Sequence, residues 1–428
     1  MTSRLLEGVR VVDMTEVWAG PMGASMLGDL GADVIKVESF PRPSSITRTT
    51  PPAPGGDDDP PWERISIHHM ANRNKRNLTL NIRMDEGAEA LRKLIAEADV
   101  FIEAYSAGTV ERLGFGWEAV RALNPNVVML SMPGWGSEGP YQGYVTLGSG
   151  LDSTIGHASL RGYPDRPLEQ IPPIFHTDAT GAVALVQAIV TGLSQRDQTG
   201  AGCFIDMSQA EAFAWQLPGA FAEVTLNDRL PERLGNRDPH VVPHGAYRAA
   251  GGETEDATAD SLPPLREAAW VVIEARTDAH WRAIATAAGH PEWADLGHPW
   301  ATVVGRLRAR SEVDAALAAY AATGTAEAIA DAISEAGGIA APVKHHSSYL
   351  TNEQFASRDW LNAIAHRYMG VQLMPGFLWQ LEPDPPSVDI AAGLLGEYNT
   401  EILTELGYSE ADIAAFEEAG VIGNAYPG

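Results

Sequence analysis

The sequence predicts an α/β protein, with a large domain built on a doubly wound parallel sheet and a smaller α+β domain. Three observations carry this. The chain has 428 residues, 45% apolar and 20% charged, which is ordinary globular usage and enough length for two or three structural units. Short apolar runs alternate with helical periodicity through roughly the first 135 residues, the pattern of strands joined by crossover helices. Between about residues 226 and 330 the pattern changes to alanine-rich helices around one strong strand signal, with an aperiodic acidic stretch, Gly251 to Pro264. The expected organisation is 1–225 for the first part of the large domain, 226–330 for the small domain, and 331–428 returning to the large one.

The elements follow in order. Val9 to Met14 (VRVVDM) reads as a strand, Ala24 to Leu30 as helix, Val34 to Glu38 as a strand, and Asn77 to Arg83 (NLTLNIR) as the next strand. Asp85 can cap a helix over Glu86 to Glu97, followed by the strand Val100 to Tyr105, an amphipathic helix over Val110 to Leu123, and the strand Val127 to Met132. Asp178 to Leu193 is a small-residue, apolar helix leading to the strand Cys203 to Met207. Trp270 to Ala275, Val313 to Ala322 and Ala326 to Ala336 supply one strand and two helices of the small domain.

Charge narrows the function. Thirty basic against 56 acidic residues give −26, which disfavours nucleic acid as a partner. Apolar runs such as GAVALVQAIV are too short to cross a bilayer, and MTSRLLEGVR is no signal peptide, so a cytoplasmic protein without a membrane partner is expected. Cys203 is the single cysteine, so one chain has no internal disulfide and no cysteine-based zinc site; a structural thiol is the simplest reading. The pairs His68, His69 and His345, His346 are adjacent, which points their side chains apart, and no metal site is expected.

Gly134, Gly136 and Gly139 in GWGSEGP imitate a dinucleotide fingerprint, but Pro140 follows at once and no helix begins there. Neither a P-loop nor a G-x-S-x-G elbow is present. Asn72 to Arg76 (NRNKR), with Arg83 beyond, reverses the charge locally and is either a solvated turn or a polyanion site. Asp178 follows His176 and Thr177 at a helix start: it is either a cap or a carboxylate kept ionised by the helix dipole and free to act as a nucleophile.

Together, GVRVVDMTEVWAGPMGASMLGDLGADVIKVE, NRNKRNLTLNIRMDEGAEALRKLIAEADVFIEAY, ERLGFGWEAVRALNP, SMPGWGSEGPY, HTDATGAVALVQAIVTGLSQRDQTGAG and LLGEYNTEILTELGYSEADI resemble the family III coenzyme A transferases, the group of formyl-CoA transferase and carnitine CoA-transferase. The resemblance covers nearly the whole chain. It implies an enzyme that moves CoA from an acyl-CoA to a carboxylic acid, with Asp178 as nucleophile forming an aspartyl anhydride and then an aspartyl-CoA thioester. CoA would be a substrate, with no tightly bound cofactor. Its expected site is Val17, Trp18, Ala19, Leu80, Asn81, Ile82, Arg83, Ala104, Tyr105, Ser106, Arg112 and Thr146, with Arg83 and Arg112 facing phosphates. Gly134, Trp135, Gly136 and His176 would line the acyl pocket. An interlocked homodimer is implied, with a hetero-oligomer containing a paralogue as the alternative.

Departures from the family pattern are Ser39, where relatives often carry an arginine that Arg42 would replace, and the loop at Gly251 and Gly252, which lacks a longer glycine run. GWGSEGPYQGY, SLRGYPD and HTDAT look closest to transferases of succinate-type donors, such as benzylsuccinate CoA-transferase. Rival readings are a 2-methylacyl-CoA racemase, whose histidine would fall near Thr146 and be replaced by His157 or His176; a non-catalytic CoA-binding subunit; and a hydrolase using the same aspartate.

Overall fold

β-Branched runs become strands where both faces can be covered. In the computed structural model, which describes residues 4–43, 46–56, 58–171, 174–251, 269–344 and 346–427, β1 (Arg10–Met14), β2 (Asp33–Ser39), β3 (Lys75–Leu80), β4 (Val100–Glu103), β5 (Val128–Ser131) and β6 (Cys203–Asp206) form a six-stranded sheet ordered β3-β2-β1-β4-β5-β6. All neighbours are parallel. The strand order reverses between β1 and β4, so the chain leaves these two strands in opposite directions and opens a crevice at their carboxyl ends.

The helices of this part are α1 (Ala19–Asp29), α2 (Ser66–Asn72), α3 (Asp85–Ala96), α4 (Thr109–Arg112), α5 (Trp117–Leu123), α6 (Gly148–Thr154), α7 (His157–Leu160), α8 (His176–Thr199) and α9 (Gln209–Ala214). Alternation along the strands sorts the core into two layers. Val12, Ile35, Leu78, Phe101 and Met129 pack with Leu91 and Leu94 of α3, while Val11, Val34, Ile102 and Leu130 pack with Leu27 of α1 and Leu185 and Ile189 of α8. The near-absence of side chain at Gly23 lets α1 and α8 cross closely: a Cβ there would stand 2.9 Å from the Ala182 carbonyl oxygen.

Four boundaries differ from the sequence reading. α1 starts at Ala19, because Pro21 in a first turn lacks only an N–H that has no partner there anyway. β3 runs Lys75–Leu80, so Arg83 follows the strand. The expected helix Val110 to Leu123 is two short ones, broken at Gly114 (φ 85°) and Gly116. α8 begins at His176, placing Asp178 third in the helix, and ends at Gly200 with φ 73°.

The chain divides into two compact units, Met1–Ala158 with Pro172–Arg229 and Asp359–Gly428, and Ser159–Ile171 with Leu230–Arg358. In the second, β7 (His244–Arg248), β8 (Trp270–Glu274) and β9 (Ile339–Pro342) make an antiparallel sheet whose buried face meets Trp281, Ile284, Val313, Leu317, Ile329 and Ile333 from three helices. β9 lies past residue 330, the end expected for the small domain. In the first unit, residues beyond 359 form the hairpin β10 (Leu361–His366) and β11 (Gly370–Pro375) and then cover the β3 edge: Asn399 Oδ1 accepts from the Thr79 amide at 2.9 Å, and the Asn81 amide donates to the Val421 carbonyl at 2.7 Å. Among the described residues no helix is long and apolar enough to cross a membrane.

Candidate active site

The basic segment is not where the free positive charge lies. Arg73 pairs with Asp29 at 2.6 Å, Lys75 with Asp13 at 2.8 Å, and Arg76 with Asp33 at 2.7 Å and Glu405 at 2.7 Å. Arg73 and Lys75 are buried under α1, where Lys75 also donates to the Pro21 carbonyl and the Asn72 amide oxygen. Burial pushes the Asp13 carboxyl up, but Lys36 and Lys75 outweigh it and hold it below the usual carboxylate range. Arg48, Glu38 and Glu63 form a second buried group at 2.8 and 2.9 Å. The NRNKR stretch is therefore structural, neither a solvated turn nor a polyanion site.

A cavity of about 600 Å³ opens at the carboxyl ends of β1 to β4, at the switch in strand order. Of the expected CoA residues it gathers Leu80, Asn81, Ile82, Arg83 and Tyr105, and it adds Glu16, Phe40, Arg42 and Thr109. Arg42 and Arg83 are exposed and neither side chain has an ion-pair partner among the described residues. Arg112, also exposed, lies on α4, which lends Thr109 and Leu113 to the wall; its guanidinium donates to Thr109 Oγ1 at 2.9 Å. The Tyr105 hydroxyl donates to Glu16 at 3.1 Å. Beside it, Glu103 at the end of β4 is buried without a cation, and desolvation pushes its carboxyl up to about 7. Ala104 and Ser106 follow β4 near this opening but do not line it.

Val17, Trp18 and Ala19 lead from the cavity to the start of α8. Val17 has φ 72°, a costly backbone for a β-branched residue that persists only where its surroundings enforce it. The Trp18 ring meets Phe175 edge-on at 5.7 Å, and a Cβ on Gly181 would stand 3.6 Å from Ala19 Cβ. Asp178 lies one turn before Gly181, facing the same way.

Asp178 is 7% exposed. A Cβ built on Gly148 would fall 1.5 Å from its Oδ2, so the carboxylate occupies the space where any other residue at 148 would place a side chain. Thr177 Oγ1 fixes the same contact by donating to the Gly148 carbonyl at 2.8 Å. Desolvation pushes the Asp178 carboxyl up to about 6, only partly offset by its own backbone amide. Burial thus outweighs the helix dipole, whose contribution near a surface is about 0.3–1 kcal/mol, and the carboxylate is less firmly ionised than a helix cap would be. At pH 7 a group titrating near 6 is still about nine-tenths ionised.

The glycine loop after β5 approaches from the other side. A Cβ on Gly134 would lie 3.1 Å from Thr146 Oγ1, which places Thr146 here and not in the β1–β4 cavity. Gly136 has φ 83°, and the Ser137 amide donates to both Asp206 carboxylate oxygens at 3.0 Å. Trp135 stands edge-on to Tyr141 at 5.2 Å. The indole nitrogens of Trp18 and Trp135 and the Thr146 hydroxyl are all buried without a hydrogen-bond partner. His176 is exposed, and at two positions before Asp178 it projects from nearly the opposite side of α8. Cys203 is half-buried on β6. No cluster of metal-binding side chains exists among the described residues. Residues 252–268, which include Gly252 and all of the acidic stretch after Gly251, and His345 lie outside the described residues.

Gly148 had no signal of its own in the sequence: a lone glycine in TLGSG does not announce a carboxylate 30 residues on. Glu16 and Glu103 were equally silent, since their places at the strand switch, Glu16 half-buried in the cavity wall and Glu103 buried beside it, exist only in the fold.

The sequence model described as CoA-transferase family III matches residues 6–399. Similar curated proteins include the succinyl-CoA–D-citramalate CoA-transferase of Chloroflexus aurantiacus, 30% identical over 98% of each chain, and the formyl-CoA:oxalate CoA-transferase of Streptomyces coelicolor, 28% identical over 99% of this chain and 100% of that one. A CAIB/BAIF family protein from Brucella suis superposes with a TM-score of 0.82 at 26% identity, covering 95% of this chain and all of the other.

Proposed function

The chain belongs to CoA-transferase family III, an enzyme class that moves CoA between acyl-CoA and acids, and on that premise we propose that Asp178 carries the transfer covalently. The observation that supports this reading is a buried, unpaired carboxylate seated on Gly148 beside a glycine loop. Asp178 attacks the donor thioester, giving a mixed anhydride and CoA thiolate. The thiolate then attacks the aspartyl carbonyl, which releases the donor acid and leaves aspartyl-CoA. The acceptor carboxylate attacks that thioester, and the returning thiolate cleaves the new anhydride to give product acyl-CoA and free Asp178. Each step exchanges one acyl bond for another, so the thioester energy is conserved.

This chemistry requires CoA to remain anchored while its sulfur leaves and returns. Arg42, Arg83 and Arg112 would hold its phosphates, with Leu80, Asn81, Ile82 and Tyr105 around the nucleotide, and Val17, Trp18 and Ala19 along the path to Asp178. Amides of Gly134 to Gly136 would receive the oxyanion. A racemase would need a second base facing Asp178; Thr146 is an alcohol and His176 points away, which leaves His157, bonded to Asp152, as its one remaining candidate among the residues expected for that role.

A homodimer is the assembly proposed. The helix Pro218–Asn227 has no buried residue although Phe221, Val224 and Leu226 are apolar, and such a face calls for a partner. The Chloroflexus succinyl-CoA–L-malate enzyme is named as alpha and beta subunits, so native mass, one chain or two, decides the alternative.

The deciding experiment is intact mass after incubation with succinyl-CoA, with hydroxylamine trapping and peptide mapping. A hydroxylamine-sensitive adduct at Asp178 is expected. CoA exchange with no adduct at Asp178 overturns the covalent route, and CoA release without an acceptor makes the enzyme a hydrolase.

A further inference from the structure

We propose that the Thr146 hydroxyl is a catalytic donor, which holds the carbonyl oxygen of the acyl group while Asp178 attacks it. This role is separate from the CoA contact expected of Thr146, and it rests on Asp178 being the residue that takes the acyl group.

The backbone ties the two residues together. Leu147, between Thr146 and Gly148, has φ −120° and ψ 165°. An extended residue sends the side chains before and after it to one face, about 6.6 Å apart at about 3.3 Å per residue. On that face the Asp178 carboxylate already fills the place of a Gly148 side chain, with Oδ2 1.5 Å from where the Cβ would stand. The gap is too wide for a direct hydrogen bond, and Thr146 Oγ1 makes none. It is the right width for one acyl carbonyl: a C=O bond of about 1.2 Å on a carbon joined to the carboxylate, plus an O–H···O bond of about 2.8 Å, covers most of it.

The glycine loop agrees with this placement. A Cβ on Gly134 would meet Thr146 Oγ1 at 3.1 Å and Leu151 Cδ1 of α6 at 3.4 Å, so the hydroxyl borders the loop expected to line the acyl pocket. Gly134 is held from behind, its carbonyl accepting from the Ala210 amide at 3.0 Å and the Ser208 hydroxyl at 3.4 Å. A buried hydroxyl left without a partner costs about 1–3 kcal/mol, a cost that an entering acceptor removes. In the attack, a lone pair of the Asp178 carboxylate forms the bond to the acyl carbon and the C=O π pair moves onto its oxygen. The return of that pair breaks the C–S bond and expels CoA thiolate. The Thr146 proton stays on its own oxygen throughout and stabilises the charge in passing. The same donor serves when the thiolate re-enters at the acyl carbon of the second anhydride.

Thr146→Val keeps the shape and removes the hydroxyl. With succinyl-CoA as donor, kcat should fall about 10²-fold with KM nearly unchanged, as for loss of one oxyanion donor, and rapid-quench trapping should show slower acylation of Asp178. Thr146→Ser restores a hydroxyl without the methyl and should recover most of the rate, which a packing role would not give. If Thr146→Val does not fold, Thr146→Ala must show the same loss. A kcat near wild type, or a Thr146→Ser enzyme as slow as Thr146→Val, overturns the proposal. So does a raised KM at unchanged kcat, which returns Thr146 to the CoA site. Trapping in the wild type separates the two readings: an adduct at Asp178 with an unimpaired Thr146→Val sinks the hydroxyl and keeps the covalent route, whereas a slow Thr146→Val in an enzyme that never forms an adduct does the reverse.

Discussion

Two regions of the large unit treat the same residue types in opposite ways. Beneath α1, Asp13 meets Lys75 and Asp29 meets Arg73, and Arg48 is shared by Glu38 and Glu63, so that these buried charges are matched by opposite ones. At the rim of the sheet Asp178 has no cation, Arg42 and Arg83 have no carboxylate, and the polar atoms of Trp18, Trp135 and Thr146 have no partner. In a chain with 56 acidic residues a cation is easily absorbed by the fold, so the cations that remain unpaired mark the ligand site better than a dense basic motif does. Buried ion pairs hold the frame; the unpaired groups at the rim are the candidates for ligand contact.

The sharpest way to break this contrast is to neutralise one aspartate from each region. Asp178→Asn should lower CoA transfer by about 10³-fold or more, as removal of a covalent nucleophile does, in protein that still binds CoA. Steady-state exchange with labelled CoA reads it, and near wild-type turnover would place Asp178 with the structural carboxylates. Lys75→Met, which removes the cation bonded to Asp13 and leaves it Lys36 and the Thr15 donors, should cost about 3 kcal/mol in urea unfolding; a loss under 1 kcal/mol would mean the buried pair is not holding the frame.

pH sharpens the contrast further. The Asp178 carboxyl is raised from 3.8 to about 6, so the folded state binds its proton more tightly than the unfolded chain. Its ionised form therefore costs stability, from nothing below about pH 4 to on the order of 2–3 kcal/mol above pH 6. Asp178→Asn should accordingly be more stable than wild type at pH 8 and equal to it at pH 4, and equal stability at both would contradict the burial. Adduct formation should rise through pH 6 and level off above 7. The smallest effect is expected from Arg83→Ala, which should weaken CoA binding by about 1.5–3 kcal/mol without changing the unfolding midpoint; calorimetric titration of CoA decides it.

Much of this frame was legible in the sequence. The β-branched runs gave all six strands of the parallel sheet because they are buried on both faces, where composition reflects packing directly. Helix starts were less legible: the first helix was expected only from Ala24, beyond Gly20 and Pro21, whereas it begins at Ala19, and at His176 no capping side chain marked the first turn. Within the site, Asp178, Arg83 and Tyr105 were expected from the resemblance, and the cavity at the strand switch brings the latter two together. What a linear reading missed was pairing. NRNKR is basic in sequence and spoken for in space, because the partners Asp13, Asp29 and Asp33 come from β1, α1 and β2, and the significance of Gly148 exists only once α6 is laid against α8.

The return of residues 359–428 to the β3 edge bears on how the chain is made. A ribosome delivers β1 to β6 well before Asn399 and Val421, the residues that satisfy Thr79 and Asn81. During that interval the nascent sheet carries an open strand, while residues 230–358 can already close as a separate unit. The large unit is therefore completed last by its own C-terminal segment, and a nonsense mutation near residue 395 would leave an exposed β-edge suited to aggregation instead of a trimmed but working enzyme.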